Sequence, residues 1–596
     1  MRGSPGLRAV ARTDLPAPPL PPGRPLLVVT GFMGTGKTEA GGRAARLLEL
    51  PFLDLDRVVA GRAGRPVREV FALEGEEGFR RREREAVREA ARLSGAVVAT
   101  GGGAPLDGAS FGELARAGRV VVLQASPEEV ERRLARVGGA GDRPLLGPDP
   151  PARIRALLEE RAPAYAAAGE LLDTTGLGPE EVAARLAARY PGPSGGPFRL
   201  EVAGPEGPYP VLVGPGALAS LPRALSDLLP SGAPVAVVAD RAVEESVGRP
   251  VAELLAAAGL EVRLRVGLPP GEEAKSASVV ADLWARFARA GLDRTGAVVA
   301  VGGGAALDAA GFAAATYARG VRLVNVPTTL LAMVDASLGG KVGIDHAGVK
   351  NLVGAFHHPA LVVADPLVLC TLPSRALRWG LAECVKAAVL ASPLVLEVLK
   401  GWAGLLTEAS SDGPPDQGRG GAPGGPPDEA RGRVPGRPWL QDRLSALAWV
   451  VEQAVRVKAA YVAADPEDGE LRHSLNLGHT FGHGIEGATG YAVPHGEAVA
   501  VGLLAAARLG ARAGVTDPAL EGRLARLLRA LGLPTRPPEG LDPGRVAAAM
   551  AGDKKRRAGR LVFVVPAPGG AALLEGVPMK EALEVLFAAE PDGGGT

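Results

Sequence analysis

An apolar run, LLVVT at 26–30, passes directly into GFMGTGKT at 31–38, and this junction constrains the fold of the first part of the chain more than any other feature. A buried strand, a glycine-rich turn and a helix opening near Lys37 place backbone N–H groups and a helix N-terminus around phosphate oxygens. In such a P-loop Gly34, Thr35, Gly36, Lys37 and Thr38 bind ATP. Lys37 reaches the β/γ-phosphates, and the Thr38 hydroxyl binds Mg²⁺. Short apolar runs at 26–30, 51–54, 96–100 and 119–123 alternate with helical stretches, so residues 24–190 read as a P-loop α/β sandwich around a parallel sheet.

The second strong feature is a histidine cluster. NLGHTFGH at 476–483 is followed by HGE at 495–497, and all seven histidines (His346, His357, His358, His473, His479, His483, His495) fall within 346–495. Residues four apart share a helix face, so His479 and His483 can look into one pocket, with His495 joining from the next segment. The cluster points to a metal. The peptide-cutting motif H-E-x-x-H needs a glutamate after the first histidine, and Thr480 stands there, so a metalloprotease is excluded.

At 596 residues the chain is too long for one core. Its 67 basic and 66 acidic residues leave a net charge of +1, which gives no general field for nucleic acid or an anionic membrane; DKKRR at 553–557 is too short to change that. Small-molecule substrates are expected. Two cysteines, Cys370 and Cys384, make no disulfide framework, and no apolar run is long enough to span a membrane, so a cytoplasmic location is expected. Only ten of the basic residues are lysines, and seven of these (37, 275, 341, 350, 386, 554, 555) fall inside motifs. A compact ammonium differs chemically from a guanidinium fork, and these positions read as chosen for phosphate contacts and proton chemistry.

The expected organisation is a disordered tail at 1–23, a first α/β domain at 24–190 and a linker, PGPSGGP, through 191–197. A second α/β domain over 198–366 has strands near 234–239, 261–266, 297–301 and 322–326. From 367 to 585 the pattern reads as helical, with a Gly/Pro-rich disordered insert at 409–438, and 586–596 is a tail.

After the P-loop come FLDLD at 52–56, read as a strand ending in two like-facing carboxylates, GEEGFRRRE at 75–83, GGGA at 101–104, DRPLL at 142–146 and ERAPAY at 160–165. In this order the motifs resemble shikimate kinase over essentially all of 24–190. The resemblance implies that Asp56 holds the shikimate hydroxyls and helps deprotonate the attacking one. Asp54 supports Mg²⁺ with Thr38, Arg80 and Arg161 clamp the shikimate carboxylate, Gly101, Gly102 and Gly103 admit substrate and phosphate to the backbone, and Arg143 rides a lid over 136–150. Where the family often has a second hydroxyl residue after Thr38, this chain has Glu39.

VGGGAALDAAGF at 301–312 lacks the last glycine of G-x-G-x-x-G and is weak as a dinucleotide fingerprint. Its neighbours carry more: GEEAKS at 271–276, ATYARG at 315–320, VPTTLLAMVDASLGGKVGID at 326–345, KNLVGAFHHP at 350–359 and WGLAECVKAAV at 379–389. Together with the helical half they resemble 3-dehydroquinate synthase from about 198 to 585. The implied ligands of Zn²⁺, or another divalent ion, are Glu383, His479 and His495, which leave open coordination positions, while Cys384 points about 100° away around its helix.

The implied NAD contacts are Asp240, Glu272, Lys275, Gly303, Gly304, Asp308, Thr328, Thr329, Lys341, Lys350 and Thr371. Substrate contacts are implied for Arg319, Asp335, Lys341, Lys350, Asn351, Lys386, Arg472, Asn476, His483 and Lys554. Among these Lys341, Lys386, Arg472 and His483, like Lys37, Asp56 and Arg143 in the first part, are the expected catalytic residues. Arg319 resembles a residue reaching the neighbouring subunit's site, which implies a homodimer. Ala336 stands where the family usually has serine.

The expected reactions are ATP-dependent phosphorylation of shikimate, and conversion of a seven-carbon heptulosonate phosphate (DAHP) to 3-dehydroquinate with phosphate release and no net redox. The rivals for the second part are another sugar-phosphate cyclase or a polyol dehydrogenase on the same fold. Lysines 341, 350 and 554 favour a phosphorylated substrate over a simple alcohol.

Overall fold

The computed structural model describes residues 11–136, 150–190, 197–407, 438–466, 468–552, 556–557 and 560–588. Arg143 and its lid, Lys554, residues 191–196 of the linker and residues 409–437 of the insert lie outside them, whereas Pro438 opens a helix.

The first described element is a strand, β1 (Ala11–Pro16), where the sequence reads as part of a disordered tail. β2 (Leu26–Gly31), β3 (Phe52–Asp54), β4 (Val97–Ala99), β5 (Gly118–Gln124) and β6 (Glu170–Asp173) then form a five-stranded sheet in the order β3-β4-β2-β5-β6, parallel at every pairing. β2 is buried along its whole length, which is why it reads as an unbroken apolar run. The helices that bear on function here are α1 (Lys37–Leu47), α2 (Leu55–Ala63), α3 (Val67–Ala90) and α4 (Pro150–Ala168).

FLDLD departs from the expected strand. The Asp54 carboxylate accepts from the Asp56 and Arg57 N–H groups at 3.0 and 3.3 Å, so it ends β3 by capping α2. Asp56 therefore sits on the first helical turn rather than on the strand beside Asp54.

The second sheet starts with an antiparallel pair, β7 (Phe198–Val202) and β8 (Tyr209–Val213). β9 (Pro234–Asp240), β10 (Glu261–Leu268), β11 (Ala297–Gly302) and β12 (Arg322–Pro327) follow with a helix in each connection, α5 (Gly304–Thr316) lying between the last two. A separate hairpin, β13 (Lys341–His346) with β14 (Val349–Phe356), precedes β15 (Leu361–Ala364). The order is β10-β9-β11-β12-β15-β8-β7, parallel except at β7/β8.

Beyond it lie α6 (Ser374–Ala391), α7 (Leu394–Gly401), α8 (Pro438–Ala464), α9 (His479–Ala488) and α10 (His495–Arg512). This part is not helical to its end, as the sequence reads. β16 (Arg556–Arg557), β17 (Arg560–Ala567) and β18 (Gly570–Glu575) form an antiparallel meander, and β1 adds to the edge of β18. Two apolar runs, with Phe563, Val565, Leu573 and Leu574 buried, flank a turn at Pro568 and Gly569; that is a hairpin pattern. The partner of β1 lies at the far end of the chain, so no local pattern announces that strand.

Candidate active sites

The first site lies at the C-terminal ends of β2 and β4. Lys37 Nζ folds back over the P-loop and donates to the Gly31 and Phe32 carbonyls at 2.9 Å each. The Thr38 hydroxyl donates to Asp54 Oδ2 at 2.6 Å, so these two oxygens are held together as a shared cation site would need. A cavity of about 690 Å³ runs from Gly34, Gly36, Lys37 and Thr38 to Asp56 and Gly102.

Burial, with the neighbouring Asp54 charge behind it, pushes the Asp56 carboxyl up to about 6. Arg80 donates to Glu83 at 2.6 Å and Glu76 at 3.2 Å, and it lies so close to the backbone that a Cβ on Gly103 would sit 2.1 Å from its Nη1. Arg161 is 5% exposed, and its Nε makes no hydrogen bond among the described residues. A buried guanidinium nitrogen left in this state asks for an anion. Glu83, which holds Arg80, is a site residue the sequence reading passed over; its signal was the i,i+3 spacing from Arg80.

The second site is a cavity of about 610 Å³ between the seven-stranded sheet and the helices. Asp308, Asp335, Lys341, Asn351, Lys386, Arg472, Asn476, His479, His483 and His495 all line it. α9 and α10 cross with their backbones in contact, since a Cβ on Gly502 would lie 2.1 Å from the Gly478 carbonyl oxygen. This brings His479, at the start of α9, to His495, at the start of α10, with ring centroids 5.2 Å apart.

Glu383 comes from α6, is 2% exposed, and ion-pairs with Lys386 one turn on. Its Oε1 makes no hydrogen bond among the described residues and faces His479 Nε2 at 3.5 Å and His495 Nε2 at 3.6 Å. The other nitrogen of each ring is occupied: His479 Nδ1 lies 3.1 Å from the Leu477 carbonyl, and His495 Nδ1 lies 3.4 Å from Glu486. An N–H donated at Nδ1 leaves each Nε2 lone pair for a metal. The donor set therefore fits a divalent ion, with Glu486 orienting His495. His483, Glu486 and His495 form an alternative triad, in which Glu486 would serve as a ligand rather than as the partner of His495 Nδ1. Cys384, buried on the same helix, turns instead to a small apolar gap beside Leu20, Val450 and Val457.

Three residues the sequence reading missed complete the cavity. Lys458 ion-pairs with Asp335, Asp468 pairs with Lys341, and Glu486 is described above. Burial, helped by Lys386 and Arg472, holds the Lys458 ammonium below its usual range against the pull of Asp335. Lys458 is one of only ten lysines, and that rarity was its signal. Glu486 stands three residues after His483 on α9; Asp468 gives no signal in sequence.

The expected dinucleotide residues form a second rim. β11 enters α5 through Gly303 and Gly304, and a Cβ on Gly303 would meet Thr329 at 3.3 Å. A bare helix start at the C-terminal end of a parallel strand fits a pyrophosphate. Thr328 N–H donates to the Gly302 carbonyl at 2.9 Å, and Asp240 ends the adjacent β9. Lys275 donates to Asp308 at 2.8 Å and also bonds Asn351, while Lys350 reaches Glu272 at 2.7 Å. Thr371 ends a short turn of helix and donates to the Val368 carbonyl at 2.7 Å. Arg319 is not brought to the cavity; it is exposed on the turn after α5.

Three family models match the chain: shikimate kinase over 33–190, the 3-dehydroquinate synthase N-terminal domain over 265–379 and its C-terminal domain over 438–556. The 3-dehydroquinate synthase of Symbiobacterium thermophilum is 42% identical over 363 residues, covering 61% of this chain and 92% of that protein. The chain belongs to the 3-dehydroquinate synthase family, with a shikimate kinase domain fused ahead of it. The 3-dehydroquinate synthase of Thermobifida fusca is 41% identical over 62% of this chain and 89% of its own length. Among solved structures, the 2-epi-5-epi-valiolone synthase ValA of Streptomyces hygroscopicus subsp. jinggangensis, with NAD⁺ and Zn²⁺ bound, is 29% identical. It covers 63% of this chain and 95% of its own, with a TM-score of 0.53. The chain thus fuses two shikimate-pathway activities, and its synthase and kinase parts are both enzymes.

Proposed function

We propose that the Glu383–His479–His495 cavity converts DAHP to 3-dehydroquinate and phosphate, and that the P-loop cavity phosphorylates shikimate. The observation that carries the synthase reading is the Glu383 oxygen, buried without a hydrogen bond and aimed at two imidazole nitrogens. NAD, held at Gly303 and Gly304, would supply a reversible hydride acceptor, and zinc, held by Glu383, His479 and His495, would supply Lewis acidity.

The chain's own side chains do the rest. Lys341, Lys386, Lys458 and Arg472 line the cavity and are the groups that would meet the phosphate and carboxylate of the substrate. Burial opposes it, but Glu383 and Asp335 hold the Lys386 ammonium above its ordinary pKa, so it stays charged. Asn351 and His483 orient hydroxyls, and Lys350 and Lys554 are further proposed substrate contacts. Arg319, exposed and remote from its own chain's cavity, suits a homodimer in which it serves the partner's site.

In the kinase, Thr38 and Asp54 hold Mg²⁺ and Lys37 faces the transferring phosphoryl group. Asp56, pushed up to about 6 by burial and Asp54, is matched to accept the proton of the attacking hydroxyl. Both cysteines are free, and no described helix is long and apolar enough to cross a membrane; a cytoplasmic enzyme fits both.

Two outcomes test these roles. Dialysis against a zinc chelator, followed by assay in excess Mg²⁺, should abolish dehydroquinate formation, spare shikimate phosphorylation, and be reversed by added Zn²⁺. Full synthase turnover in zinc-free protein would remove the metal assignment. Arg161→Leu should raise the KM for shikimate roughly ten- to hundredfold, the value of a charge-assisted hydrogen bond, with little change in the KM for ATP. An unchanged shikimate KM would take Arg161 out of the clamp.

A further inference from the structure

Away from both cavities, a polar cluster is buried between the kinase and the synthase. α8 presents Trp449, Glu452, Gln453 and Arg456 to the kinase segment Arg92–Gly95 and to Pro21–Arg24, where the chain enters the kinase. Trp449 Nε1 donates to the Ser94 carbonyl at 2.6 Å, and Gln453 Nε2 donates to the same oxygen at 3.1 Å. Glu452 accepts from the Ser94 hydroxyl and from Arg24 Nε and Nη2, at 2.8 and 2.7 Å for the arginine. Arg456 donates to the Pro21 carbonyl at 2.8 Å and the Arg92 carbonyl at 3.1 Å.

Ser94 is 0%, Glu452 1% and Arg456 4% exposed. Stripping such ions of water is costly unless every contact is made, so a loose association would not leave them here. The fit is close as well: a Cβ on Gly23 would lie 2.3 Å from Ser94 Cβ and 2.9 Å from Arg456 Cζ. Apolar packing is continuous across the same junction, where α3 rests on α7 and the buried residues of both domains join one cluster. The chain before the kinase takes part too. β1 completes the synthase's edge at β18, Leu20 packs beside Cys384 and Val457, and Pro21 and Arg24 then reach α8. Two freely moving halves on a flexible linker, as PGPSGGP reads, do not describe this packing.

α8 carries the connection further. Two residues beyond Arg456 the same helix delivers Lys458 to Asp335 in the synthase cavity. We propose that the kinase domain is a structural wall of the synthase: its lock on Glu452 and Arg456 holds α8 where Lys458 meets Asp335, so the synthase is fully active only with the kinase docked. Ser94, Glu452 and Arg456 are positioning residues in this scheme, and the claim rests on the synthase reading of the cavity.

The full chain tests it through a lesion on each side of the lock. Ser94→Lys puts a long cation against α8 from the kinase side, and Glu452→Ala removes the acceptor from the synthase side. Both should lower synthase kcat/KM about tenfold, a usual size for coupling through packed elements, at unchanged zinc content and unchanged shikimate kinase activity. Both should also split the single thermal unfolding transition expected of the wild type into two. If Ser94→Lys kept the wild-type synthase rate, or the wild type itself unfolded in two steps, the wall would be overturned. An effect of Glu452→Ala alone on the synthase would overturn it equally, because that effect would belong to α8 and not to the docked kinase. Wild-type protein with no synthase activity at all would instead refute the reading of the cavity.

Discussion

His479→Ala is expected to abolish dehydroquinate formation and bring zinc content to background while leaving ATP-dependent phosphorylation of shikimate largely intact. The expectation follows from geometry. His479 Nδ1 is taken by the Leu477 carbonyl, so Nε2 is the ring nitrogen left for the proposed metal, and it lies 3.5 Å from a Glu383 oxygen that has no hydrogen bond among the described residues. Alanine leaves a carboxylate and one imidazole, which is too few protein ligands for a catalytic zinc site. Metal analysis and the two assays on one preparation check it. Full zinc occupancy in that variant would move the site to another ligand set, of which His483, Glu486 and His495 is the candidate among the described residues.

Lys37→Ala should lower shikimate phosphorylation by orders of magnitude, on the scale of about 10²–10³ expected when one preorganised charge is removed from a phosphoryl-transfer site. Lys37 lies at the start of α1, curled over the Gly31 and Phe32 carbonyls beside the P-loop cavity. Those two bonds stay within the kinase, so the synthase should keep its turnover even though the two domains are docked. Initial-rate assays of both reactions decide the matter. A severalfold loss of synthase turnover in folded, zinc-loaded Lys37→Ala protein would show that phosphate binding in the kinase is felt at the second cavity.

What could be read from sequence was set by how locally each feature is written. The strand leading into the P-loop and the central strands near 234–239 and 297–301 are continuous apolar runs, because parallel strands inside a sheet are buried on both faces, whereas the edge strand near 261–266 carries charged residues and was read by its alternation with helices. The histidines, Lys341 and Lys386 stood out because their residue types are rare in this chain and their spacing fits a helix face or a known motif. β1 was invisible for the opposite reason: six residues with prolines and charges around them become a strand only because β18 offers an edge. FLDLD misled because a capping aspartate ends a strand one residue earlier than its apolar pattern does. Lys458 and Asp468 join the cavity through ion pairs with residues distant in sequence, Asp335 and Lys341, and no spacing rule covers such partners. The buried lock on α8 was likewise out of reach, since Ser94 and Glu452 belong to different domains.

That one chain carries two complete catalysts is tested most directly on a single preparation of the full chain, loaded with zinc. It is assayed for phosphate release from DAHP with NAD⁺ and for shikimate 3-phosphate formation with ATP and Mg²⁺. Both activities are expected, co-eluting with the intact chain, with phosphate released in a one-to-one ratio to dehydroquinate and no net NADH. Absence of either activity from folded, zinc-loaded protein would contradict the presence of two catalysts.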